Sequence, residues 1–145
     1  MSAASDVARP TGARNFWLGF AAYLLPSFPI AFVWHLVLFE QKYRALHIYR
    51  DEPVISFGLG SMIIIQGAIF SWLFPRVFNR SSDSFMKDGL LYGLGAGLLS
   101  WSFTTLAVGA KNVMVSVPDF MLLETAFTVL QFAIVGPLIA LANRR

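Results

Sequence analysis

53-PVISFGLGSMIIIQGAIFSWLFPRV-77 and 118-PDFMLLETAFTVLQFAIVGPLIALA-142 are two stretches written to one pattern. Each opens on a proline and stays largely apolar for more than 20 residues. Each carries a glutamine thirteen positions in, Gln66 and Gln131, followed by x-Ala-Ile (Gly67-Ala68-Ile69 and Phe132-Ala133-Ile134). Roughly 20 apolar residues suffice for a helix to cross the hydrocarbon core, so each stretch is predicted to span a membrane. A proline at the first helical position gives up an N–H that has no helical partner anyway. A glutamine at mid-depth is costly in hydrocarbon unless its amide finds a partner. The pair therefore points to what the interior holds.

Working outward, two further stretches of the same character bring the expected spans to four, at about 15–39, 54–77, 86–110 and 120–142. The chain is 57% hydrophobic and 13% charged, with mean hydropathy +0.64, whereas a soluble domain is about a quarter charged. Four spans and short loops account for 145 residues. The expectation is an all-α polytopic membrane domain over 15–145 behind a polar, mobile leader at 1–14. The first stretch is too long for a signal-peptide core, holds Pro26 and Pro29, and lacks a small-x-small cleavage site. It reads as a retained span, kinked at its prolines.

Charge sets the orientation. Arg9, Arg14, Arg76, Arg80, Lys87, Arg144 and Arg145 flank one face of the membrane, seven in all; Lys42, Arg44, Arg50 and Lys111 flank the other. The positive-inside rule puts both termini in the cytoplasm. These basic residues sit at membrane edges rather than in one patch, which gives no sign of nucleic-acid binding. The absence of cysteine excludes disulfides, thiolate catalysis, Cys-ligated zinc and iron–sulfur clusters. No phosphate loop, nucleophile elbow or His-Glu-x-x-His is present, and no cofactor is implied.

The two glutamines are 65 residues apart, as are Pro53 and Pro118, while Trp34 and Trp101 are 67 apart. That offset suggests a hairpin used twice. Two spans restore the starting direction, so the copies are parallel, related by an axis along the membrane normal. Gly89, Gly93 and Gly97 form a small-residue stripe in the third span that lets another backbone approach closely. The partner is either Gly58 and Gly60 of the second span or another copy, and a homo-oligomer or a membrane-protein partner is expected alongside the bilayer itself. Tyr43, Leu46 and Tyr49, at helical spacing, suggest a short amphipathic segment lying on the bilayer surface.

Six side chains are candidates for binding. Gln66 and Gln131 offer donors and an acceptor, as site residues or as interhelical glue. Glu124, the only acid well inside an apolar stretch, shares a helix face with Thr128 and Gln131 at i, i+4 and i+7; the matching position in the other half is Leu59. An acid inside the membrane is a functional candidate by default, and proximity to a helix N-terminus is its ordinary alternative. His35 beside Trp34 is a proton carrier, a metal or haem ligand, or an interfacial polar residue. Two histidines without a further ligand cluster make no metal motif. Ser100, Ser102, Thr104 and Thr105 are expected to bond back to their own helix.

Several short runs resemble a family: FVWHLVLF at 32–39, IQG at 65–67, DGLLYG at 88–93, AKN at 110–112, and LLETAF at 122–127 with QF at 131–132. Together they resemble small four-span bacterial membrane proteins known only as a domain of unknown function, over about 15–145. The resemblance implies a bacterial inner membrane and a four-helix fold, and it carries no activity and no catalytic residues. The expected function is non-enzymatic binding or passage of a small molecule or lipid between the second and fourth spans. Its alternatives are an accessory subunit of a larger complex and an enzyme using Glu124 and His35 as acid and base. A binding site predicts that Gln131→Leu abolishes binding while the fold survives; an enzyme predicts His35 and Glu124 within hydrogen-bond reach.

Overall fold

Apolar runs this long, with every backbone group paired inside a helix, give spans that can sit in lipid. The structure, a computed structural model, describes residues 12–49, 54–78 and 84–144, with backbone alone at 54–56. Most of the leader, Pro53, and the charges Arg9, Arg50, Asp51, Glu52, Arg80 and Arg145 lie outside the described residues. Among the described residues five helices appear in order: α1 (Gly12–Leu38), the short α2 (Glu40–Ala45), α3 (Val54–Val77), α4 (Phe85–Lys111) and α5 (Val117–Asn143). All but α2 are long and apolar enough to cross a membrane. No strand occurs among the described residues. At α5, Ser116 caps the first turn, its Oγ accepting from the Asp119 amide at 3.3 Å, and Pro118 occupies that turn.

The spans run antiparallel in sequence order. Gly19 meets Ser71 and Tyr23 meets Gly67 across α1 and α3, while Gly89 meets Pro137 and Gly97 meets Phe132 across α4 and α5. α1 lies between α3 and α5, and α5 between α1 and α4; α3 and α5 scarcely touch. The expected site between the second and fourth spans therefore has no shared wall of its own. The facing helices are α1 and α5.

The glycine stripe is taken up within the chain. A Cβ on Gly93 would lie 2.5 Å from the Phe132 carbonyl oxygen, and one on Gly89 would lie 2.5 Å from the Pro137 Cα. Gly136 supplies the other half of the contact, its own missing Cβ pointing at the Gly89 carbonyl. Gly58 stands in open space and Gly60 meets only the edge of Phe28 at 4.0 Å. The groove that was open to Gly58 and Gly60 or to a second copy is thus built by α5, which packs more closely on α4 than any other pair of helices.

The core has two parts. Tyr23, Phe70, Tyr92 and Phe132 interlock near the end of the bundle that carries the termini, with Phe70 and Phe132 edge-on at 5.6 Å. At the opposite end Tyr43, Leu46 and Phe120 form a second cluster. Tyr43 is fully buried, so α2 does not lie on the bilayer surface with its aromatic face in lipid, as its spacing suggested. It turns that face inward onto α1 and α5. The Val115 amide donates to the Leu46 carbonyl at 3.2 Å, tying this loop to the one before α5. α2 is closed off by His47 at φ 60°, a left-handed position that histidine tolerates better than most side chains.

Both α1 and α4 change pitch near their ends. Residues Trp34–Leu38 and Ser102–Leu106 are π-helical, and the Phe39 amide reaches back to the Trp34 carbonyl at 3.0 Å. An extra residue in the turn re-aims the side chains around it, and such turns are frequent at functional sites. His35 sits within the first.

Candidate functional site

Polar side chains meet at two levels along α1 and α5. At the deeper level Tyr23 is the hub. Its hydroxyl donates to Gln66 Oε1 at 2.9 Å and accepts from Gln131 Nε2 at 3.4 Å. Gln131 Nε2 also reaches Ser27 Oγ at 3.0 Å, and Gln66 Nε2 reaches Ser100 Oγ at 3.1 Å. The string Ser27–Gln131–Tyr23–Gln66–Ser100 thereby touches all four spans. The two amides do not bond each other; a tyrosine from α1 stands between them. Every member is neutral, and each links to another member rather than to open space.

The second level lies at the α2 end. Glu124 and His35 are both buried, each about 8% exposed. Glu124 Oε1 receives the Tyr43 hydroxyl at 2.7 Å and faces His35 Nε2 at 3.2 Å. His35 Nδ1 lies 3.0 Å from the Ala31 carbonyl. Trp34 Nε1 donates to the Tyr43 oxygen at 3.2 Å, which turns the Tyr43 proton toward Glu124. The ring of Phe127 meets the imidazole edge-on at 4.6 Å, and Tyr49 stacks on Tyr43 at 5.3 Å. No hydrogen bond from a described residue reaches Glu124 Oε2.

Burial pushes the Tyr43 phenol far above its ordinary 10.0, and the neighbouring Glu124 carboxylate pushes it further. Tyr49 moves the same way, first by burial and then by Glu124, with Arg44 opposing. Both phenols therefore act as hydrogen-bond donors. The Arg44–Glu40 pair at 2.8 Å on α2 is exposed and contributes little.

Of the six candidates, His35, Trp34 and Glu124 come together at the α2 end, and Gln66 and Gln131 join the deeper string. Thr128 is separate. It lines a lipid-facing groove of ≈ 410 Å³ between α4 and α5 with Leu94, Leu98, Trp101, Thr125 and Val129. Within that groove Trp101 Nε1 donates to Thr125 Oγ1 at 2.9 Å. Ser102 and Thr104 bond back to their own helix as expected, at 2.7 and 3.0 Å. Ser100 instead crosses to Gln66, and the buried Thr105 hydroxyl has no partner.

Three contributors escaped the sequence reading. Tyr23 and Ser27 were hidden in the run leading to the proline kink of α1, although their i, i+4 spacing sets two hydroxyls on one face of an otherwise apolar span. Tyr43 was visible in the 43/46/49 spacing, but its face was assigned to lipid. Compared with family models, curated proteins and solved structures, the chain gives no match.

Proposed function

We propose that this integral membrane protein binds, and carries or presents, a small polar or amphipathic molecule at the His35–Glu124–Tyr43–Trp34 cluster. The observation that carries this reading is the state of Glu124. It is a buried acid with two donors converging on one oxygen, while no hydrogen bond from a described residue reaches the other. A carboxylate in that state favours a ligand with a hydrogen-bond donor or a positive charge. The deeper glutamines, bonded to Tyr23, Ser27 and Ser100, serve as glue instead of lining the site. A lipid ligand has a natural berth for its acyl chain in the adjoining α4–α5 groove.

In the same reading the protein lies in a bacterial inner membrane with both termini cytoplasmic, which puts the cluster in the outer half of the bilayer. Arg14, Arg76, Lys87 and Arg144 at the terminal end of the bundle support that orientation. The repeated hairpin draws support from the two π-helical segments, which begin 68 residues apart, close to the Trp34–Trp101 offset. The halves then differ at the site itself, where Glu124 of the second half answers to Leu59 of the first. The family resemblance to four-span bacterial proteins fits this architecture. Self-association loses the argument from the glycine stripe, which α5 occupies, and so does the accessory-subunit reading.

The test is to purify wild type and Glu124→Gln in mild detergent and to compare, by mass spectrometry, the small molecules released on denaturation. The reading expects one species at near-stoichiometric yield from wild type and its loss from a Glu124→Gln protein that melts normally. Equal yields from both would refute it. One distance favours a second reading: His35 and Glu124 at 3.2 Å have the spacing of an acid–base pair, which fits a membrane-embedded enzyme. The released species separates the two, because an enzyme converts it on incubation and a carrier returns it unchanged.

A further inference from the structure

The cluster at the α2 end has a hydrogen-bond inventory that does not close without a proton. The Ala31 carbonyl can only accept, so His35 Nδ1, at 3.0 Å, carries a hydrogen. The other nitrogen, Nε2, faces Glu124 Oε1 at 3.2 Å. If Nε2 were bare and the carboxylate ionised, two lone pairs would oppose each other in a buried site, which is a repulsive arrangement. The contact therefore needs one hydrogen between the two atoms. It rests on Nε2, giving imidazolium and carboxylate, or on Oε1, giving imidazole and carboxylic acid. Passing from one form to the other moves a single proton from Nε2 to Oε1 and leaves the net charge at zero. The Tyr43 hydroxyl donates to Oε1 in both forms, because Trp34 Nε1 occupies its own acceptor side.

We infer that His35 and Glu124 together form a proton-binding site that holds one shared proton, which the protein exchanges as the cluster opens and closes. The inference deepens the small-molecule reading and rests on it only for the choice of site. Little else in the surroundings competes for that proton. Among the described residues the titratable groups facing the pair are Tyr43 and Tyr49 from the loop, both held as neutral phenols. On α2, Glu40 and Arg44 pair with each other at 2.8 Å, and Lys42 and His47 point outward and are exposed. α5 adds only Asp119 at its exposed start, and α4 adds Lys111 at its exposed end. Besides the Tyr23 phenol at the deeper level, α1 has no other ionisable side chain between Phe16 and Phe39, and α3 has none between Phe57 and Pro75. No third His, Cys, Asp or Glu joins the pair among the described residues. Release of the proton leaves a net negative charge and two opposed acceptors, so the His35–Glu124 contact parts when it goes. Tyr43, carried on the short α2, is the group whose movement admits water.

The probe is the proton itself. Full-length protein labelled with ¹⁵N-histidine is placed in lipid nanodiscs, and its two imidazoles are followed by NMR while the infrared carboxyl band of Glu124 is followed over the same pH series. The expected result is that His35 keeps Nδ1–H throughout, and that its Nε2 signal and the Glu124 band change together in one step. Glu124→Gln, whose amide cannot take up the shared proton, abolishes that step and leaves His35 as a neutral imidazole with Nδ1–H. His35→Gln abolishes the step in the Glu124 band, and either variant serves if the other fails to fold. Separate steps for His35 and Glu124, or an unaltered His35 titration in Glu124→Gln, would overturn the shared proton. The small molecule lost from Glu124→Gln in spite of separate steps would leave the binding reading standing and remove this one.

Discussion

The two polar levels of the bundle hang on the same pair of helices and differ in what they hold. From Ser27 and Gln131 to His35 and Glu124 is seven or eight residues, about 11 Å along the helices. The deeper level is a closed string of hydroxyls and amides, with Tyr23 between the two glutamines. The α2-end level has an acid, an imidazole and a phenol, with one carboxylate oxygen that no described residue reaches. Depth in the membrane does not distinguish a site from glue, since both levels are buried. Ionisability does. Neutral amides with partners on neighbouring spans hold helices together at modest energy. A buried acid with spare acceptor capacity is retained at a cost that structure alone does not repay.

That contrast breaks most easily at Glu124. Replacing the carboxylate by its amide removes a charge-assisted bond to the ligand, worth roughly 1.5–3 kcal/mol, or a 10- to 100-fold loss of affinity. The amide keeps one of the two contacts that meet at Oε1 and removes a buried ionisable group, so the melting temperature of Glu124→Gln should stay near that of wild type. The reverse pattern is expected at Tyr23. Tyr23→Phe strips the string of its hub and strands an acceptor on Gln66 and a donor on Gln131, costing about 1–2 kcal/mol of stability. Ligand retention at the far level should be untouched, as measured by the same mass spectrometry.

Smaller effects sharpen the comparison. Burial and Glu124 raise the Tyr43 phenol above its unfolded value of 10.0, and burial raises Tyr49 as well. The folded state therefore holds protons that the unfolded chain gives up, so stability is level below pH 10 and falls as pH climbs past about 10. Denaturation at pH 8 and pH 11 should show that loss, and Tyr43→Phe should lessen it. Least affected should be Thr128→Val. Thr128 faces the α4–α5 groove and neither polar level, so stability should move by no more than about 0.5 kcal/mol, and a non-lipid ligand should remain bound.

Much of the fold was legible because membrane spans are read from length and polarity alone, and all four spans lie within a few residues of their expected limits. The neighbours of each span were not legible. A small-residue stripe states that a backbone comes close but not which one, and Gly136, next to a proline in an apolar run, gave no sign that it faces Gly89. Glu124 and His35 stood out singly, each as a polar residue in an apolar run. Their meeting depends on α1 packing against α5, which no local pattern encodes. Tyr43 was misdirected because a surface helix with one aromatic face looks the same in sequence whether that face meets lipid or protein.

The most direct measurement is a paired one: ligand retention and melting temperature for Gln131→Leu and Glu124→Gln in the same detergent. Gln131→Leu should melt lower, having taken from Ser27 and Tyr23 the donor that Gln131 Nε2 supplies, and should retain the small molecule. Glu124→Gln should melt like wild type and lose it. A Gln131→Leu protein that melts normally but has lost its ligand, beside a Glu124→Gln protein that keeps it, would put the site at the glutamines and contradict the assignment made here.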